Sequence, residues 1–242
     1  EINVPKLDYT VATAQRRIGS NSNIRAIFVN RQRFSTDSSD FRLEGYDYNR
    51  VLGIDYNYSF LNNKITGTHF YHRQFTPTKI DAPYSYGSSI AYNSKQLRLS
   101  WWQQIFGKGY APAVGYLPRT GYKRVSPSGE LRFFPDSDKI INHGPTFDMV
   151  FIWDDVFGYS DNEQTLGYSV YFQNNANLSV TGKRTFTYLF EDFDPTRSPE
   201  EVMAVPLPDS TDYHYTNLEL SFNSDPRKLF NYELKMVSGE YF

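Results

Sequence analysis

In the stretch Leu166–Phe190, LGYSVYFQNNANLSVTGKRTFTYLF, apolar and polar residues alternate with a period of two along most of the length. Its second half places apolar side chains at alternate positions, with Ser, Thr and Lys between them. Successive side chains of a β-strand point to opposite sides, so this period predicts a strand with one apolar and one polar face. The first half has the same period, and Asn174-Asn175-Ala176 joins the halves as a tight turn. The stretch therefore predicts an antiparallel hairpin.

The same alternation recurs through the chain, and no sustained helical stripe of apolar residues accompanies it. We therefore predict an all-β protein of about twelve strands. The predicted strands lie near residues 9–18, 24–31, 48–60, 64–73, 84–92, 96–106, 128–135, 139–154, 165–173, 177–190, 213–223 and 229–241.

The predicted connections alternate between short turns and longer loops along the chain. The longer ones cover residues 32–47, 74–83, 107–127, 155–164 and 191–212. Outer-membrane barrels show this sorting, because their periplasmic turns are short and their extracellular loops are long. Tyr and Trp, which favour membrane interfaces, also gather near the predicted strand ends. The fold class that we predict is an antiparallel up-and-down transmembrane β-barrel.

The composition excludes several other classes of protein. Lys and Arg number 25 and Asp and Glu 27, and this formal net charge of −2 argues against a nucleic-acid partner. The chain has no cysteine, which excludes a disulfide scaffold, a thiolate metal site and a cysteine nucleophile. Its longest apolar run, Met149–Trp153, is far shorter than the roughly 18 residues that suggest a transmembrane helix.

The first half of the chain carries several motifs that resemble those of one known protein family and follow the same order. They are Tyr9-Thr10-Val11, Arg17-Ile18-Gly19, Ser22-Asn23-Ile24, Asn30-Arg31, Tyr48–Asp55 and Val114-Gly115-Tyr116-Leu117-Pro118-Arg119. The last of them, the loop motif, is the most specific. The family that they resemble is a Gram-negative outer-membrane β-barrel domain of unknown function that usually follows a family-nine-type carbohydrate-binding module.

The resemblance implies a bacterial outer-membrane location and a single barrel domain over residues 1–242. It implies a non-catalytic transport channel or cell-surface platform linked to glycan uptake or secretion. Its partners would be outer-membrane lipid and other outer-membrane proteins or surface lipoproteins, and no catalytic residue or cofactor carries over. The family's barrel is longer, so we expect further strands before Glu1 and after Phe242. The carbohydrate-binding module is missing, so carbohydrate binding carries over onto no residue of this chain.

Charged residues on the polar faces of the predicted strands form the candidate functional set. They would point into the lumen if the apolar faces meet lipid, since Arg or Lys at the lipid-facing midplane costs about 2–4 kcal/mol. These residues are Asp55, Arg98, Lys183, Glu219, Glu233 and Lys235. Arg184 falls on an apolar face, which predicts either a position near an interface or a kink at Gly182-Lys183.

Other candidate sites are weaker. His69 and His72 lie three residues apart on a predicted strand, so they would point to opposite faces and could not clamp one metal. Acidic clusters in the loops after residues 153 and 190 lack the spacing of a calcium loop. We therefore predict no metal site and no cofactor, with calcium binding by the acidic loops left open. We also predict no enzymatic activity.

Two alternatives stay open at this stage. A soluble all-β carbohydrate-binding protein would stack its exposed Tyr and Trp side chains on sugar rings. A glycan hydrolase would use loop carboxylates such as Asp154 and Asp192.

Overall fold

The computed structural model describes residues 6–34, 47–195 and 205–240. Within these ranges the chain forms twelve antiparallel strands and no helix, so the predicted all-β, up-and-down fold is confirmed. The strands are β1 (Leu7–Ile18), β2 (Ser22–Arg33), β3 (Tyr48–Phe60), β4 (Ile65–Phe75), β5 (Tyr84–Asn93), β6 (Leu97–Phe106), β7 (Tyr122–Leu131), β8 (Ile140–Asp154), β9 (Gly158–Phe172), β10 (Asn177–Leu189), β11 (Thr211–Asn223) and β12 (Glu233–Gly239). They follow each other in sequence order in one sheet, with β1 and β12 as its two edges. The described residues include no helix that is long and apolar enough to cross a membrane.

The chain divides into two compact units. Unit 1 contains Glu1–Ala91 and Trp102–Arg124, and unit 2 contains Tyr92–Trp101 and Val125–Phe242.

In unit 1, strand β3 shows most clearly that polar side chains are buried and apolar ones exposed. From Asn49 to Asp55 the residues alternate between buried and exposed, and the exposed ones include the apolar Leu52 and Ile54. We call the side that carries Asn49, Asp55 and their register partners on β2 and β4 the polar face of unit 1. The opposite side, with Leu52, Ile54 and Tyr56, is its apolar face. Along this part of β3, Leu52 and Ile54 therefore face outward, whereas the polar Asn49 and Asp55 are buried together with Val51.

In unit 2, strands β8 to β12 repeat this arrangement. The register places Thr181 and Lys183 of β10 beside Glu219 and Asn217 of β11, on what we call the polar face of unit 2. Its apolar face carries exposed aliphatic and aromatic side chains. These include Leu166, Tyr168, Val180, Leu218, Leu220, Leu234 and Met236. Strand β11 alternates strictly between half-buried and exposed residues over its first ten positions.

Two predictions about the connections are wrong. The predicted loop 107–127 ends at 121, because β7 spans Tyr122–Leu131 rather than 128–135. The predicted long loop 155–164 is a turn of residues 155–157, because β9 begins at Gly158 rather than near 165. Short and long connections therefore do not alternate without exception.

The turn at 155–157 has a local cause. The Asp154 Oδ1 atom accepts hydrogen bonds from the backbone N–H groups of Val156 at 2.8 Å and Phe157 at 3.2 Å. Gly158 then adopts a positive φ of 79°, which glycine takes without steric cost. The Asp154 carboxylate thus stabilises a short turn in place of the predicted loop 155–164.

The other predicted boundaries differ by a few residues. The last strand is the shorter Glu233–Gly239 in place of 229–241. Residues 35–46 of the predicted loop 32–47 and residues 196–204 of the predicted loop 191–212 lie outside the described residues.

Candidate functional site

A charged cluster on the polar face of unit 1 joins three strands. The Asp55 carboxylate on β3 accepts hydrogen bonds from the Arg25 guanidinium on β2, with Nε at 2.8 Å from Oδ2 and Nη2 bonded to the same oxygen. The Nε2 atom of His72 on β4 lies 2.8 Å from Asp55 Oδ1. Asp55 itself is only 3% exposed. Both carboxylate oxygens are therefore paired, which is what a buried charge requires.

The register of the strands brings these three residues together. Arg25 lies directly opposite Asp55, whereas His72 lies opposite Gly53, two residues along the same face. A Cβ atom at Gly53 would collide with the His72 ring and with Ile27. The His72 ring therefore occupies the space above Gly53 and leans from there towards Asp55. The cluster depends on a glycine at this position, because any side chain would displace the imidazole.

A second feature of unit 1 is the segment 107–121, which is fastened to the same face. The Asn49 Nδ2 atom donates to the Ala111 carbonyl at 3.1 Å, and the Ala113 N–H donates to Asn49 Oδ1 at 3.2 Å. The Ala111 N–H donates to Gln74 Oε1 at 2.6 Å. Asn49 and Gln74 are 6% and 2% exposed. The segment thus replaces solvent over two polar side chains of the sheet.

The first residues of this segment also pack against the connection between β4 and β5. The Gly107 N–H donates to the Tyr84 carbonyl at 2.8 Å. A Cβ at Gly107 would collide with the Ala82 carbonyl and one at Gly109 with the Asp81 carbonyl, so both contacts require glycine. The buried Tyr110 stacks on Phe106, with ring centroids 6.1 Å apart. This end of the segment is therefore held by close backbone packing.

The contacts of this segment shift the pKa values of two side chains outside the strands. The Lys108 ammonium lies 2.7 Å from the Asp81 carboxylate, and this bond holds the pKa of Asp81 below its usual range. Burial raises the pKa of the Tyr110 hydroxyl. Both groups keep their ordinary charge near neutral pH, with Asp81 ionised and Tyr110 neutral.

The six sequence-predicted residues share the polar faces but do not form one site. Asp55 belongs to the cluster in unit 1. In unit 2, Lys183 bonds Glu163 at 2.6 Å and Lys235 bonds Glu219 at 2.9 Å. Glu233 lies opposite Asn223 on the same face. Leu99 lies beside Gly129 and Phe147, and Phe147 opposes Leu166 on the apolar face, so the preceding Arg98 points to the polar face. The Arg98 Nε donates to Asn93 Oδ1 at 3.1 Å. Their lining of a lumen stays a prediction.

The loop motif Gly115-Tyr116-Leu117-Pro118-Arg119 follows the tethered residues directly. Gly115 has a positive φ of 102° with open space around it, and Tyr116 is 89% exposed. The Arg119 guanidinium lies over the Tyr122 ring, 5.7 Å from its centroid. The motif therefore forms the open tip and the return of the segment 107–121.

The acidic residues after position 153 have separate structural roles. Asp154 caps its own turn and Glu163 pairs with Lys183. His69 and His72 lie on opposite faces, as predicted, since they oppose Tyr56 and Gly53. Within the described ranges no group of three or more His, Cys, Asp or Glu side chains is arranged to hold a metal ion.

Sequence reasoning did not identify Arg25, Asn49 and Gln74 as partners in these contacts. Arg25 meets Asp55 across strands joined by the long connection between β2 and β3. Asn49 and Gln74 bond Ala111, which lies in the distant segment 107–121, so no local turn fixes these contacts. The pairing of His72 with Gly53 depends on the exact length of the β3–β4 turn, because a shift of one residue would place Tyr71 there instead.

Comparison of the chain with protein-family models, with curated proteins and with solved structures gave no match.

Proposed function

We propose that this chain is an outer-membrane β-barrel domain that acts as a transport channel or cell-surface platform, without catalysis of its own. One observation carries the proposal, namely the inverted distribution of polarity. Among the described residues, the buried side chains comprise four hydrophobic and ten polar or charged residues. In a protein folded in water the fully buried set is dominated by apolar side chains.

The exposed apolar side chains form faces rather than isolated positions. In unit 2 the register places Val180 beside Tyr168 and Leu220, and Met236 beside Leu220. All four are more than 40% exposed. A contiguous apolar surface of this kind marks contact with lipid or with another protein. Lipid suits a sheet whose strands alternate in this way, because each strand has one face for hydrocarbon and one for water.

Aromatic rows on the apolar faces lie near the strand ends, where a membrane interface would be. In unit 1, Tyr58 near the turn after β3 stacks between Tyr56 and Phe60, with ring centroids 5.7 and 5.5 Å away. Near the opposite ends of the strands, Tyr84 lies 6.3 Å from Tyr71 and 6.1 Å from Tyr86. Rings with a polar tip favour such positions because one end is apolar and the other is wet.

In unit 2, a β-bulge places a further aromatic side chain on the apolar face. The register slips between Ile152 and Trp153, so that Trp153 opposes Tyr159 and the fully buried Ser160 is the extra residue. The slip turns Tyr159 towards the apolar face, where it stacks on Phe186 with centroids 5.2 Å apart. Bulges redirect side chains in this way, and here the redirected side chain is an interface aromatic.

Arg184 is the exception on the apolar face of unit 2. The register of β10 is unbroken through Gly182 and Lys183, so the kink that would have turned Arg184 inward is absent. Its neighbours across the sheet are the polar Gln164 and Thr216, and Phe186 and Tyr188 follow on the same face. A long arginine can direct its charge along the strand towards an interface while its stem stays on apolar surface.

The orientation can be tested with single cysteines in a chain that has none of its own. Leu52→Cys, Leu218→Cys and Leu234→Cys should react poorly with a membrane-impermeant thiol reagent in intact membranes. Asn217→Cys is the matched control, since it precedes Leu218 and points to the polar face. We expect it to react faster than Leu218→Cys. Ready labelling at all three leucine positions would contradict the proposal.

The aromatic row of half-buried Tyr56 and Tyr58 with exposed Phe60 favours one alternative, a soluble carbohydrate-binding sheet that stacks aromatic rings on sugars. The two functions differ in their need for detergent. The membrane protein should aggregate without detergent or lipid, whereas the soluble protein should stay monodisperse and give a signal on a glycan array. The link to glycan uptake or secretion rests on the family resemblance of the loop and strand motifs.

A further inference from the structure

We propose that the segment 107–121 is an inward-folded constriction that limits the size of the solutes passing through the channel. This inference rests on the proposed function, because the polar face of unit 1 lines an aqueous path only in a barrel. The sequence predicted an open outer loop here. The contacts of the segment instead fasten it to the face that would line the lumen.

The direction of the segment follows from the residues that it contacts. Asn49 and Gln74 lie on the same face as the Asp55 cluster, since Asn49 alternates with Leu52 on β3 and Gln74 opposes Val51. Their side chains bond the backbone of Ala111 and Ala113. A loop that bent away from the sheet could not reach these atoms. The middle of the segment therefore lies over the polar face.

The attachment is strong enough to keep the segment in place. Three hydrogen bonds join the segment to amide side chains that are buried, and releasing it would leave these polar groups without partners. The tight packing of Gly107 and Gly109 against the β4–β5 connection fixes the beginning of the segment, and buried Tyr110 adds apolar contact. Beyond Ala113 the segment is freer, since Gly115 has open space and Tyr116 is exposed. Tyr116 is thus the side chain best placed to meet a passing solute.

The test compares the full-length protein with a variant in which the tether is cut. Asn49→Leu combined with Gln74→Met keeps the side-chain sizes and removes the three hydrogen bonds. Asn57→Leu is the matched control, because Asn57 is on the same strand and face but bonds Asn23 at 3.1 Å and Thr68 at 2.8 Å instead of the segment. Single-channel conductance in planar bilayers and swelling of liposomes in sugars of increasing size are measured for each protein.

We expect the tether variant to show a higher conductance and to admit larger sugars than the wild-type protein, with Asn57→Leu at the wild-type level. Trypsin should also cut faster after Arg119 in the tether variant, which reports release of the segment independently. If the segment is released by this criterion and conductance does not change, the constriction is wrong and the proposed function still stands. If neither protein conducts, the constriction is likewise wrong.

A second variant covers the case in which the strand substitutions prevent folding. Ala111→Pro removes the N–H that Gln74 accepts and leaves β3 and β4 untouched. It should raise conductance in the same direction, and an unchanged size limit would overturn the constriction. If the wild-type protein does not enter membranes at all, the proposed function itself fails, which labelling at Leu52, Leu218 and Leu234 detects separately.

Discussion

The paired carboxylate on the polar face is buried in unit 1, whereas those in unit 2 are partly exposed. The Asp55 side chain is 5% exposed, whereas those of Glu163 and Glu219 are 42% and 33% exposed. All three carboxylates bond a basic side chain on a neighbouring strand, so the three ion pairs have similar geometry. The pairs differ in burial. An ion pair in water contributes little to stability, whereas removing one partner of a buried pair leaves an unpaired buried charge that destabilises the fold. Loss of a partner should therefore lower the free energy of unfolding more in unit 1 than in unit 2.

The largest expected effect is that of Asp55→Ala. The variant leaves Arg25 and His72 without their common acceptor, and we expect a loss of about 2–3 kcal/mol in the free energy of unfolding. The partial exposure of Arg25 keeps the loss below that of a fully buried pair. Urea unfolding of the protein refolded in lipid vesicles measures it. Glu219→Ala in unit 2 is the control and should lose under about 1 kcal/mol. Equal losses would contradict the comparison.

Substitutions at two mid-strand glycines test the same difference between the units. Gly53→Ala in unit 1 places a methyl group against the His72 ring and Ile27, and we expect it to cost about 1–3 kcal/mol. Gly182→Ala in unit 2 has nothing within 4 Å of the new atom, and the smaller unfolded-state entropy should leave it neutral or slightly stabilising. The same urea titration measures both. A stable Gly53→Ala protein would show that His72 does not need the space above Gly53.

A smaller effect is expected for the exposed pair Lys183–Glu163. Lys183→Glu places two carboxylates together and should cost up to about 1 kcal/mol at low salt. Adding Glu163→Lys should restore stability, and raising the ionic strength should reduce the single variant's loss, because half-exposed charges are screened. A loss that does not respond to salt would mean that this pair is buried in the membrane-inserted protein.

The smallest effect is a pH dependence at the connection between β11 and β12. Arg227 donates to the Asp225 carboxylate through Nε at 3.0 Å and Nη2 at 3.2 Å, and these bonds lower the pKa of Asp225. A lowered folded-state pKa gives stability that is fully present above about pH 4 and is lost as the pH falls through the folded value. Acid titration of unfolding should show a shallower decline for Asp225→Asn than for wild type. Identical curves would contradict this role.

The sequence alone determined the fold class and the two faces of the strands. Alternation with a period of two is a local property, and it appears as alternating exposure in much of β3 and β11. The turn Asn174-Asn175-Ala176 was also predictable, since Asn175 takes a positive φ of 63° that asparagine tolerates. The separation of His69 from His72 followed from the same alternation.

Only the tertiary structure decided which residues meet. A β3–β4 turn one residue shorter would place Lys64 opposite Phe60, but the structure pairs Phe60 with Ile65. This shift of one residue brings His72, instead of Tyr71, opposite Gly53, and the Asp55 cluster depends on it. The tether of Ala111 to Asn49 and Gln74 spans 62 and 37 residues of chain, respectively. Loop length and composition favoured an exposed loop there, because neither records a hydrogen bond to a distant buried side chain.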